Sequence, residues 1–88
     1  MTRFDEIKEL LLLQINKFID LDTEIKLEDK VIEDLNIDSI SFMFIIAELE
    51  KELKIELLGS IFIRDKEDFT IYELVIIIEG LYAERIKI

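Results

Sequence analysis

The sequence predicts an all-α fold: a small bundle of three main helices plus a short fourth, with a long first loop, in one domain spanning residues 1–88. Three observations predict it. Apolar residues recur at i, i+3 and i+4 in three separate stretches, polar and charged segments divide those stretches, and the 88-residue length allows a single modest core. With 51% hydrophobic residues there is ample material to fill that core.

The first stretch runs from about residue 4 to residue 19. Phe4, Ile7, Leu11, Ile15 and Phe18 keep helical spacing, and Leu10, Leu12 and Leu13 widen the stripe. Thr2 followed by Asp5 is a start signal of the capping-box kind, and Asp20-Leu21-Asp22-Thr23 favours turns. The second stretch runs from about Ser39 to Lys54, with Asp38 and Ser39 both suited to a helix start. The last opens on the capping box Thr70-Ile71-Tyr72-Glu73 and runs to about Glu84, with Leu74, Ile77, Ile78 and Leu81 as its buried stripe. Between the second and last helices, residues 57–65 are apolar and broken by Gly59-Ser60. They read as a loop with one short helix; a strand through residues 61–63 is the competing reading and has no evident partner.

The long connection, residues 20–38, carries eight acids against two bases, six of the chain's ten net negative charges. Its apolar residues Ile25, Leu27, Val31, Ile32, Leu35 and Ile37 are spaced to pin it to the core. A connection this long with its own anchors points to function.

Composition excludes several chemistries. The chain has no His and no Cys, so it offers no imidazole base, no Ser-His-Asp triad, no thiol nucleophile and no soft-ligand metal site. The net charge of -10 argues against nucleic acid, whose phosphates are bound by Lys and Arg. No stretch is long and apolar enough to span a bilayer, and the acidic N-terminus is no secretory leader. A soluble, cytoplasmic, monomeric protein is the expectation. Glu33, Asp34 and Asp38 are close in sequence but lie in a charged loop, with nothing to raise a carboxyl pKa for acid–base work, so no enzyme activity is expected.

The second helix is apolar on two sides. Advancing about 100° per residue from Ile40, Phe42, Ile45, Ile46, Leu49 and Leu53 fall between roughly 140° and 240°, a core face. Ile40, Met43, Phe44 and Ala47 lie within roughly 60° of zero, on the opposite side. A domain this small cannot easily bury both faces, so the second is offered to a partner unless flanking loops cover it. Ser39 heads this helix. It either caps the helix or serves as an acceptor modified by another enzyme, where a phosphate ester would meet the unpaired N–H groups and positive dipole end.

Glu33-Asp34-Leu35-Asn36-Ile37-Asp38-Ser39-Ile40, followed by an amphipathic helix, resembles the attachment motif of acyl carrier proteins and the related peptidyl carriers. The resemblance extends over most of the chain: the apolar first helix, the acidic first loop, the Leu53-Lys54-Ile55-Glu56-Leu57 exit and the final helix opened by Thr70. It implies that a phosphopantetheinyl transferase moves the 4'-phosphopantetheine of coenzyme A onto Ser39, and that the arm's thiol then holds acyl or aminoacyl groups as thioesters. It also implies that Asp38 helps dock the transferase and position its magnesium ion. Acyl-loading and acyl-processing enzymes would read the second helix, with Ile40, Met43 and Ala47 at the family's apolar contact positions and Glu50 at an acidic one.

The chain departs from the family pattern in three places. Asn36 replaces a common Gly, and Asn is among the few residues that tolerate a left-handed backbone. Ser41 and Phe44 stand where fatty-acid carriers usually show acids. Residues 57–63 are unusually apolar, suited to a greasy cargo or to core filling. A dedicated carrier for lipid, polyketide or peptide synthesis is therefore expected. Two rivals remain: an unmodified helical interaction module docking through Ile40 and Phe44, and a calcium loop from Asp20. The calcium loop lacks the Gly and Glu that an EF-hand needs, having Ile25 and Val31 there.

Overall fold

The structure, a computed structural model, describes residues 2–20, 22–62 and 67–86 of the chain. It contains four helices: α1 (Arg3–Ile15), α2 (Ser39–Leu53), α3 (Leu58–Phe62) and α4 (Ile71–Ile86). The three long helices are those the periodicity predicts, the short one falls in the apolar segment read as a loop with one short helix, and no strand occurs among the described residues. The rival strand at residues 61–63 is not formed: Ile61 and Phe62 end α3, and Ile63 lies outside the described residues.

Both capping boxes form. Asp5 N–H donates to Thr2 Oγ1 at 3.1 Å while the Asp5 carboxylate faces the Thr2 backbone amide. At α4, Glu73 N–H donates to Thr70 Oγ1 at 3.0 Å and Thr70 N–H to Glu73 Oε1 at 2.9 Å. The first helix is shorter than its periodicity suggests. It stops at Ile15, and the chain then tightens into i to i+3 bonds, Lys17 N–H to Gln14 O and Phe18 N–H to Ile15 O. That tighter winding carries Phe18 off the buried stripe, and it is 44% exposed. The second helix ends one residue early because Lys54 takes the left-handed conformation, φ 56°, with its N–H on Glu50 O.

The core joins Ile7, Leu11 and Ile15 of α1, Phe42, Ile45, Ile46 and Leu49 of α2, Ile61 of α3, and Ile71, Leu74, Val75 and Ile78 of α4. Of the expected stripes, Leu53, Ile77 and Leu81 are half-buried rather than fully so. The long connection anchors itself through Val31, Leu35 and Ile37, all buried. Its backbone also pairs with the start of α4: Val31 N–H donates to Phe69 O, Ile71 N–H to Asp29 O and Tyr72 N–H to Leu27 O, at 2.9, 3.0 and 2.9 Å. The loop is thus fastened beside α4 before it delivers the chain to α2. No helix among the described residues is long and apolar enough to cross a membrane.

Candidate functional site

Residues 35–41 turn the loop into the head of α2. Leu35 and Ile37 point into the core, which leaves Asn36, Asp38 and Ser39 exposed between and after them. Asn36 sits at φ 57°, the left-handed region where Asn substitutes most readily for Gly. The Ile37 amide then bonds Val31 O at 3.2 Å, closing the turn.

Asp38, with extended backbone angles, is the N-cap of α2, and its Oδ1 accepts the Ser41 amide at 2.7 Å. The Ser41 amide, followed by the Ser41 hydroxyl, holds the Asp38 carboxyl below the ordinary aspartate range. Ser39 is therefore the first residue inside the helix and not its cap. Its side chain is exposed, and among the described residues no group takes its hydroxyl in a hydrogen bond. No acid occurs in the first turn of α2, so the dipole end is opposed only by the capping Asp38. Beside Ser39 lies a surface cleft of about 550 Å³ lined by Ile32, Glu33, Phe42, Glu67, Asp68 and Phe69. The rings of Phe42 and Phe69 stack at 6.1 Å on one of its walls.

The outward face of α2 is open. Ile40 is 68% exposed, Phe44 62% and Met43 48%, with Ala47 half-buried beside them, so among the described residues no flanking loop covers this side. Among the described residues no group of three or more His, Cys, Asp or Glu side chains is placed to hold a metal ion.

Neither a family model nor a solved structure matches the chain. Curated relatives do. The acyl carrier protein of Campylobacter jejuni strain RM1221 is 39% identical over 60 residues, 68% of this chain and 74% of that protein. Acyl carrier proteins of C. jejuni strains 81-176 and 81116 are 37% identical over the same length. The chain belongs to the acyl carrier protein family.

As an acyl carrier protein, the chain uses two carboxylates in ways that sequence reasoning missed. Glu50, expected as a partner contact, is half-buried, and its Oε2 accepts the amides of Leu57 and Leu58 at 2.8 and 3.0 Å. It thereby ties the end of α2 to the start of α3. Asp68 reaches back across the cleft to the amides of Ile32 and Glu33. Neither has a local signature, because a lone acid in a chain of 21 acids reveals its partner only once distant segments meet.

Proposed function

We propose that this acyl carrier protein receives the 4'-phosphopantetheine of coenzyme A on Ser39 and presents the loaded arm to acyl-loading and acyl-processing enzymes. The observation that carries the reading is that Asp38 performs the capping, which leaves the Ser39 hydroxyl exposed and unengaged at the positive end of α2. The residues fit such a group. A phosphodiester on Ser39 would face first-turn amides and the helix dipole, and the cleft beside it has apolar walls from Ile32, Phe42 and Phe69.

In the transfer, Ser39 Oγ loses its proton and bonds to phosphorus as the anhydride bond to adenosine bisphosphate breaks. Once attached, the arm supplies a terminal thiol that carries acyl groups as thioesters. The chain contributes no catalytic base and needs none, because the transferase performs the attachment. Asp38, ionised and held at the helix head, is placed to meet a cationic or metal-bearing transferase surface. Ile40, Met43, Phe44 and Ala47 offer partners an apolar face, and with Ser41 and Phe44 in place of acids this favours a dedicated pathway in lipid, polyketide or peptide synthesis.

Incubation with coenzyme A, magnesium and a broad-specificity phosphopantetheinyl transferase tests the reading by intact mass. One phosphopantetheine should be gained, and none by Ser39→Ala. An unchanged wild-type mass overturns it and leaves the chain as a non-covalent docking module acting through Ile40 and Phe44.

A further inference from the structure

Ser39 is only as well placed as the loop that delivers it, and that loop is clamped from the far side of the cleft. The Ile32 amide donates to Asp68 Oδ1 and the Glu33 amide to Asp68 Oδ2, each at 3.0 Å and across 36 and 35 residues of sequence. Asp68 Oδ1 also accepts the Phe69 amide at 2.8 Å, which fixes the carboxylate's own orientation. A carboxylate is the side chain suited to this task, since it accepts at both oxygens and carries no donor to clash with an amide.

Val31, Leu35 and Ile37 already bury the loop against the core. Asp68 is therefore not needed to keep the loop on the protein. What it adds is the orientation of the turn at residues 31–35, held against Phe69 on the cleft wall. That turn leads directly to the serine: Leu35 N–H closes on Lys30 O, Ile37 N–H on Val31 O, and Asp38 then caps α2.

We infer that Asp68 is a positioning residue for Ser39, holding the turn at residues 31–35 so that the serine is presented in the one geometry a transferase can engage. The inference rests on the carrier reading for its kinetic consequence. Its structural half does not depend on that reading.

Asp68→Asn tests it, because the amide keeps the size and one acceptor but sets an NH2 donor against one of the loop amides. Its partner in the experiment is Ile78→Val, which trims a fully buried side chain of α4 and lowers stability without touching the clamp. Arm transfer by the same transferase should fall about tenfold in kcat/KM for Asp68→Asn, mainly through a raised KM for the carrier. Ile78→Val should stay within about twofold of wild type, as its change lies outside the loop. Equal kinetics for the two variants overturn the inference. Amide hydrogen exchange on the unmodified proteins supplies the independent readout. Asp68→Asn should speed exchange at Ile32 and Glu33 and also at Ser41, the α2 amide held by the Asp38 cap; acceleration confined to Ile32 and Glu33 overturns the inference. Should wild type gain no mass, the carrier reading fails and the exchange measurement still decides the role of Asp68.

Discussion

The two faces of α2 are built from the same kinds of residue and meet opposite surroundings. Phe42, Ile45, Ile46 and Leu49 are buried against the rest of the bundle, while Ile40, Met43 and Phe44 stand in solvent on the other side. Side-chain chemistry does not separate the two sets. What separates them is which side of the helix the other elements occupy. An apolar residue becomes core only where the topology brings another element opposite it, and an apolar stripe left without one is exposed surface that a partner can use.

The first way to break the comparison is to empty the buried face. Leu49 is fully buried, so Leu49→Ala should cost about 2–5 kcal/mol of stability by lost transfer energy plus the cavity left behind. Urea denaturation would show this as a lower midpoint at unchanged slope. A cost under about 0.5 kcal/mol, the range typical of surface substitutions, would mean that the buried face contributes no more than the exposed one.

The exposed face should give the mirror result. Phe44→Ser should change stability by no more than about 0.5 kcal/mol, since it leaves no cavity and strips no buried partner. Yet it should weaken engagement by enzymes that read this side of α2. Titrating wild type and variant against the phosphopantetheinyl transferase checks this, with an expected rise in KM for the carrier and little change in kcat. Comparable losses of stability from Phe44→Ser and Leu49→Ala would erase the distinction between the faces.

How much of this was legible beforehand depended on sequence distance. The core stripe of α2 and both capping boxes rest on residues within a few positions of one another, so spacing and residue type sufficed, whereas the left-handed turn at Asn36 is implied only by the resemblance to carriers with Gly at that place. The end of α1 is not marked in the pattern, because the apolar stripe continues through Phe18 while the backbone has already tightened. Openness of the Ile40 face required knowing that no loop among the described residues returns over it. The two carboxylate ties were hidden for a different reason. Asp68 meets amides 35 and 36 residues away, and Glu50 spans the exit from α2 to bond Leu57 and Leu58, so nothing near either residue marks it.

The smallest expected effect concerns the head of α2, where the two faces share one cap. The Ser41 amide and hydroxyl depress the Asp38 pKa, so the folded state binds the proton more weakly than the unfolded chain. The stabilisation is therefore full above the unfolded aspartate value of about 4 and is lost as pH falls through the lower folded value. Asp38→Asn isolates this, because Asn is itself a good cap and only the titration disappears. Between pH 6 and pH 2 the variant's melting temperature should fall less steeply than that of wild type, with the curves converging at the acid end. Asp5, depressed by the Thr2 hydroxyl and backbone amide at the head of α1, supplies the comparison from a cap with no serine to present. Asp5→Asn should flatten the same acid limb but leave transfer onto Ser39 unchanged, whereas Asp38→Asn should slow it. If both variants slow transfer equally, the Asp38 charge has no role beyond helix stability, and the case for its part in docking the transferase is lost.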